Sequence, residues 1–422
     1  MHAKNTVRFY ILIAIVLGFL FFSNDFGLID IQKTAIVIAV GLDREEDEFI
    51  ITSQIALPKS EKEGENSQSA QIVSKGKTVA EAFEQINAKT GWYPKLVFCQ
   101  LIVLGESATK KNVFEGLNFF LRDEYLSDGC LLATCDGSAQ EILNAQNPVE
   151  QLSGLAASKV LSQHSERVGT VLPNTLREFS AAYYAEGKSG YLPILKAEPP
   201  QEETAQSKKS KGQGRVESNS EEKSSGGSGS EGGSNGGNSG GQKSGESGQS
   251  GNEKKVFSAS ETALFKNGVR MGKLTEEESK TFAFVKSKLR LAAYLVEQDG
   301  VEYALNVKRN SPKTKLSLKE KDEPKLEISV TVTAGILDGA KPQSVEEISD
   351  AGEIPDKVLE KAETKLKKSI VALFEKTKET ECDIFECIET LKRKEYDEYA
   401  EQKDTILQRI QPVVEVKFQN VR

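Results

Sequence analysis

Between Ala197 and Asn252 the chain has almost nothing with which to build a core. The stretch opens on Pro199-Pro200, passes through Lys, Glu and Ser, and from Ser224 reads SSGGSGSEGGSNGGNSGG. Such a composition cannot bury enough apolar surface to offset the entropy of ordering it, so residues 197–254 are expected to be a disordered Gly/Ser-rich insertion. Roughly 56 residues of this kind have an r.m.s. reach of ~40 Å. No strand leads into the glycines and no helix opening on Lys-Ser or Lys-Thr follows them, so they do not form a phosphate cradle. The insertion divides the chain into an expected N-terminal domain at 30–196 and a C-terminal domain at 255–422.

A second stretch bears on location. Phe9, Tyr10, Ile11, Leu12, Ile13, Ala14, Ile15, Val16, Leu17, Gly18, Phe19, Leu20, Phe21 and Phe22 form an unbroken apolar run behind Lys4 and Arg8. At about 1.5 Å per residue it covers ~21 Å of a ~30 Å hydrocarbon core, so a full span would need its flanks at the interfaces, with Arg8 snorkelling. Ser23, Asn24, Asp25 and Phe26 follow, with no small-x-small cleavage pattern and no cysteine. Residues 1–26 are therefore expected to be an uncleaved signal-anchor or transmembrane segment. Positive charge before the run and Asp25 and Asp30 after it place the N-terminus in the cytoplasm and the bulk of the chain outside.

The remaining composition mostly excludes. A net charge of −8 lacks the basic face of a nucleic-acid binder. The five cysteines are Cys99, Cys130, Cys135, Cys382 and Cys387. The two close pairs have poor spacing for a metal and point their side chains apart on either a strand or a helix; a disulfide between distant segments stays open, and buried free thiols are the plainer expectation. Beyond His2 the chain has only His164, set in the polar run Ser162–Glu166. Histidine-based nucleophilic or metal chemistry has little to draw on.

In the N-terminal half, Thr34–Asp43 and Glu48–Leu57 are β-branched runs around the charged turn Arg44–Asp47, which reads as an antiparallel hairpin. After a charged loop at Lys59–Ser69, Thr78 and Glu81 form a capping box that opens a helix with Val79, Ala82, Phe83 and Ile86 on one face. Leu96–Gly105 reads as a strand buried on both faces, Ala108–Leu121 as a helix and Cys130–Cys135 as a short strand. This βαβ order over Lys95–Asp136 predicts a parallel pair. A helix capped by Ser138 with Glu141 follows, and further helices are expected over Pro148–Ser162 and Asn174–Ala185.

Past the insertion, Ser258–Phe265 should be a strand leading through the turn Lys266–Gly268 into Val269–Met271. Thr275 and Glu278 form another capping box, opening a helix through Phe282 and Val285. Strands are expected at Leu289–Val296, Val301–Val307, Lys313–Leu318 and Leu326–Ile336. Leu326, Ile328, Val330 and Val332 share one strand face. The apolar stripe of Pro355–Lys378, formed by Val358, Leu359, Ala362, Leu366, Ile370, Leu373 and Phe374, should cover it. A helix at Asp383–Arg393 and a closing strand at Val413–Val421 complete an α+β, mixed α/β chain.

Several of these stretches together resemble the Ger(x)C family, the C subunits of nutrient germinant receptors in endospore-forming bacteria. The resemblance runs through Ala35–Asp43, Thr52–Ile55 and Pro58, then Leu101–Glu106, Ala108 and Phe119–Asp123, then Leu131–Gly137, Ala139–Leu143 and Tyr191–Leu195. Beyond the insertion it continues in Ala263–Phe265, Gly268, Gly272–Thr275, Lys376–Glu386, Lys392–Lys394 and Tyr396. It implies a non-enzymatic subunit that acts in receptor assembly or signalling during germination, with multi-pass A and B membrane subunits as partners. It also implies location at the spore inner membrane and no cofactor or catalytic residues. Family members typically carry a lipid-modified cysteine after the signal peptide. Here the first cysteine is Cys99, so no lipidation site carries over.

Two other classes compete with this reading. One is an anchored extracytoplasmic protein that binds a small molecule or cell-wall ligand. The other is a hydrolase with paired carboxylates, for which Asp43/Glu45 and Asp123/Glu124 are the candidates, read first as exposed loop charge. Arg122 and Asp123 are read equally as an internal ion pair or a partner contact. Gly41 and Gly105 are expected to end strands and serve turns.

Overall fold

The computed structural model describes residues 10–17, 34–57, 69–163, 169–199, 255–286, 289–317, 324–338 and 353–421. Phe9, Gly18, Phe19, Leu20, Phe21 and Phe22 of the apolar run, His164, and most of the Lys59–Ser69 loop and the Gly/Ser-rich insertion lie outside them.

The predicted hairpin forms from β1 (Thr34–Glu45) and β2 (Glu48–Ala56), with its turn narrowed to Glu46 and Asp47. β3 (Ser69–Gly76) pairs with β2. The expected parallel pair is also present, joining β5 (Leu101–Leu104) and β6 (Leu131–Thr134), and β5 runs parallel to β1 as well. The strand expected over Leu96–Gly105 is shorter than that run. A turn in which Cys99 N–H donates to Leu96 C=O at 2.9 Å separates β5 from the three-residue β4 (Tyr93–Lys95), which pairs with the start of β1. All four residues of β5 are buried, because Leu101 and Val103 enter one apolar cluster while Ile102 and Leu104 enter another. A continuous apolar run is what a strand covered on both faces requires.

The helix expected over Ala108–Leu121 is broken in two. After α1 (residues 10–17) and α2 (Val79–Thr90) come α3 (Glu106–Thr109) and α4 (Phe114–Leu121). Between them Asn112 Oδ1 accepts the Phe114 N–H at 3.0 Å, and the Val113 N–H donates to Gly268 C=O at 3.0 Å. An asparagine side chain that competes for the backbone in this way favours a turn over a continuous helix. α5 (Ala139–Asn144), α6 (Ser153–Gln163) and α7 (Leu176–Tyr184) follow, α6 starting later than expected.

The strands beyond the insertion join the first sheet. β9 (Val256–Lys266) pairs antiparallel with β8 (Ser189–Glu198) from Ser189 opposite Lys266 to Glu198 opposite Val256. β10 (Val269–Leu274) pairs with β9 through the predicted Asn267-Gly268 turn, both residues having positive φ. The sheet order is β10-β9-β8-β6-β5-β1-β2-β3, with β4 on β1 and β7 (Asn174–Thr175) on β6. The chain therefore leaves and re-enters this sheet at neighbouring positions, Glu198 and Val256. A connection whose ends already meet can be long, because each doubling of its length costs only about 0.6 kcal/mol.

The second sheet has the order β11-β12-β13-β14, formed by Ala292–Gln298, Val301–Ser317, Lys325–Asp338 and Gln411–Asn420. The two short strands expected within Val301–Leu318 are one long strand that includes Pro312. β11 pairs with β12 only as far as Val307, so beyond it one edge of β12 has no partner strand among the described residues and a proline is tolerated there. α8 (Glu276–Lys286) follows β10, and α9 (Asp356–Glu379) lies across the second sheet. As the periodicities predict, Leu326, Ile328, Val330 and Val332 share a buried cluster with Val358, Ala362, Leu366, Ile370, Leu373 and Phe374. Burying each of these Leu, Ile, Val or Phe side chains contributes about 1.5–3 kcal/mol. The short helices α10 (Cys387–Lys394), α11 (Tyr396–Gln402) and α12 (Ile406–Arg409) lead into β14. β9 also links the two layers: Leu264 packs in the cluster of the second sheet, while Ala263 and Phe265 pack in that of the first.

α1 is helical with exposed side chains, and no helix among the described residues is long and apolar enough to cross a membrane.

Candidate functional site: a cleft between the two sheets

A cleft of about 760 Å³ opens between α7 and β8 on one side and the end of α8 with Asp383–Arg393 on the other. The first wall starts from a capping box that the sequence reading had not singled out. The Thr175 side chain accepts the Glu178 N–H at 3.2 Å and Glu178 reaches back to the Thr175 N–H at 3.2 Å, setting the start of α7. After α7 the chain turns through Glu186, Gly187 and Lys188, the last with φ of 43°. Ser189 Oγ and Lys266 Nζ both donate to Gly187 C=O, at 2.7 and 2.8 Å.

The opposite wall is organised by Asp383, which is buried. Its carboxylate accepts the Cys387 N–H at 2.9 Å and the Ile388 N–H at 2.8 Å, so it caps the start of α10. Burial pushes the Asp383 carboxyl above its ordinary value, against the pull of these two backbone hydrogen bonds. Gly187 lies directly over it, since a β-carbon there would stand 3.4 Å from Asp383 Oδ2.

Polar ties close one end of the cleft. Glu186 accepts hydrogen bonds from Lys392 Nζ and the Tyr399 hydroxyl, and its own N–H donates to Glu389 Oε2 at 3.3 Å. The Lys392 and Tyr399 hydrogen bonds hold the Glu186 carboxyl below the usual carboxylate range. The same contacts raise Lys392 and push Tyr399 up to about 12. Lys286 pairs with Glu386 within the second wall, tying the end of α8 to the segment that carries Asp383. Beneath lies an aromatic chain. Tyr191 meets Phe282 edge-on at 5.0 Å, Phe282 meets Phe385 at 6.0 Å, and Phe385 meets Phe374 at 5.4 Å. Asn174 Nδ2 holds the Tyr191 carbonyl at 2.9 Å. Tyr191, Asp383, Ile384 and Arg393, all from stretches that carried the resemblance, line this cleft together.

The acidic groups of the cleft act as caps and ion-pair partners, and among the described residues no group of three or more His, Cys, Asp or Glu could hold a metal ion. The carboxylate pairs proposed from sequence also have other tasks. Asp43 is buried, contrary to its reading as exposed loop charge, and accepts Ser138 Oγ–H at 2.9 Å, Ala139 N–H at 3.0 Å and Gln140 N–H at 3.2 Å at the start of α5. Glu45 is exposed and pairs with Lys75. Asp123 Oδ1 accepts the N–H groups of Tyr125 at 2.9 Å and Leu126 at 3.0 Å, and no Arg122–Asp123 ion pair forms among the described residues. Gly41 serves no turn. It lies inside β1, where a β-carbon would come within 3.0 Å of the Ala139 β-carbon. All five cysteines are free and buried, which leaves no disulfide between the segments.

Two family models match the chain. One is described as spore germination protein N-terminal domain and covers residues 28–197; the other, spore germination B3/GerAC like, C-terminal, covers residues 260–421. Spore germination protein B3 of Bacillus subtilis (strain 168) is 26% identical over 198 residues, 45% of this chain and 50% of that protein. Spore germination protein A3 of the same organism is 29% identical over 160 residues, 36% of this chain and 42% of that protein. The matched region thus spans about half the length of these curated relatives. The crystal structure of the GerBC protein aligns with a TM-score of 0.51 over 91% of this chain and 97% of that one, at 15% identity, which is a likeness of fold. With both domain models matched in order across most of its length, the chain belongs to the Ger(x)C family of spore germination proteins.

Proposed function

We propose that the chain is a non-enzymatic, membrane-anchored, extracytoplasmic subunit of a spore nutrient germinant receptor, acting in receptor assembly or signalling beside multi-pass A and B subunits at the spore inner membrane. The observation that most supports this is the cleft. Residues from both family domains meet there through capping, ion pairs and aromatic packing, the construction of a joint that transmits position between two bodies. The apolar run Phe9–Phe22 supplies the anchor in this reading, raising the effective concentration of the folded parts at the receptor. Deleting the gene should abolish or slow germination with at least one nutrient, and the tagged chain should co-purify with a multi-pass membrane protein. Unchanged germination with every nutrient tested, together with no such partner, would sink the proposal. The volume of the cleft favours one second reading, an anchored extracytoplasmic protein that binds a small molecule or cell-wall ligand there. A defined ligand that raises the melting temperature of the full chain, but not of a variant with Ala182→Trp in the cleft wall, would favour it.

A further inference from the structure

The N-terminal ends of the parallel strands β1, β5 and β6 carry an aromatic surface that is left open among the described residues. Trp92, Tyr93, Phe98 and Tyr125 are 38%, 44%, 56% and 55% exposed, and Val97 beside them is 46% exposed. The topology brings them together. α2 ends at Gly91, whose φ of 72° turns the chain sharply and leaves Trp92 at the surface. Tyr93 sits opposite Thr34, the first residue of β1, in parallel register. Val97 and Phe98 line a shallow hollow with Ser127 and Gly129. Lys95 Nζ lies 4.4 Å from the centre of the Tyr125 ring, and the loop carrying Tyr125 is shaped by Asp123.

We propose that this edge docks into the lipid–water interface of the membrane that holds the chain. The inference rests on the anchored reading above and adds the orientation of the first domain to it. The covalent chain is the main argument. Eleven residues separate Phe22 from Thr34, and such a stretch spans at most about 40 Å even when fully extended. Thr34 is where that tether enters the fold, so the surface around Tyr93 and Trp92 is the part of the first domain held nearest the bilayer. The side-chain chemistry is the second argument. Tryptophan and tyrosine rings with an apolar body and a polar tip are enriched at membrane interfaces, and a neighbouring phenylalanine adds apolar area that water solvates poorly. The nearby charges are mixed, Lys95 and Arg122 against Glu124 and Asp128, so the docking is driven by aromatic insertion and is only weakly sensitive to salt.

The chain carries a natural probe at this surface, because Trp92 is its one tryptophan. The full chain is reconstituted into vesicles of phosphatidylcholine and phosphatidylglycerol containing dibrominated phosphatidylcholines, with bromines at shallow or deep acyl positions. Flotation reports anchoring and tryptophan emission reports docking. Docking at headgroup depth predicts a blue-shifted Trp92 whose emission falls by about half, more with shallow than with deep bromines. Phe98→Asp should restore most of that emission while the chain still floats. A chain that floats with Trp92 unquenched and open to acrylamide overturns the docking and leaves the anchor intact. A chain that does not float overturns the anchored reading and this proposal with it. If Trp92 becomes shielded only when a multi-pass protein partner is added, the surface is a protein interface and the proposal falls.

Discussion

A β-carbon on residue 105 would stand 1.7 Å from Asp43 Oδ1, so Asp43 can reach the start of α5 only because residue 105 is glycine. Gly105→Ala should therefore displace the buried carboxylate from Ala139 and Gln140, lowering stability by about 2–4 kcal/mol. Asp43→Ala removes the same contacts and should cost about 1–3 kcal/mol. The double variant should lose clearly less than the sum of the two, because both act on one contact. Urea unfolding of the three variants checks this, and strict additivity would show that the two residues act independently.

Phe282 is fully buried and sits between Tyr191 of the first sheet and Phe385 of the opposite cleft wall. Truncation to alanine should cost about 3–5 kcal/mol. It should also loosen the joint, which would appear as faster amide exchange in both β8 and the Asp383–Phe385 segment. Faster exchange confined to α8 would mean that the ring only fills local space.

The tie formed by Glu186, Lys392 and Tyr399 should respond to acid. Lys392 first, and then Tyr399, hold the Glu186 carboxyl below its ordinary value of 4.5. A depressed folded-state pKa contributes stability that is present above the unfolded value and lost as pH falls through the folded one. Wild type should therefore melt above Glu186→Gln at pH 7, and the gap should close below pH 4.5. A gap that stays constant from pH 7 to pH 3 would remove Glu186 as its source. Because Glu186 is only half-buried and water screens its charge, the difference is expected to be small.

The thiols should be silent in the folded protein. Burial pushes Cys382 up to about 11 and Cys135 up to about 12, and Cys387 well above its ordinary value. Since the thiolate is the reactive form, iodoacetamide at pH 8 should label none of the five within minutes. Intact mass should show five additions once guanidinium is present, without any reductant. Fewer than five under those conditions would reveal a disulfide.

What could be read in advance was local. The box expected at Thr275/Glu278 forms with both of its hydrogen bonds, whereas at Thr78 only the cap forms and Glu81 accepts the Lys77 N–H instead; all of these contacts are local. The stripe of α9 and the alternation of β13 are properties of single elements, and each predicted the face that the other covers. The break between α3 and α4 was hidden, because the pull of Gly268 on Val113 comes from a strand pair far along the chain. The site was legible only in fragments. Tyr191 and the Asp383–Phe385 segment carried the resemblance, but their sharing of a cleft was not readable, and Glu186 and Tyr399 were missed altogether.

The sequence by itself determined where most of the helices and strands lie and that a Gly/Ser-rich stretch separates two halves that each resemble the family. Those properties follow from periodicity and composition, which act over a few residues. Only the tertiary structure decided that β9 crosses back to pair with β8 and that Asp43 serves a helix 95 residues onward. It also placed an aromatic edge next to the point where the N-terminal run enters the fold. The reason is that pairing between distant backbones is set by the whole apolar surface available to bury, and no local pattern records where that surface will meet.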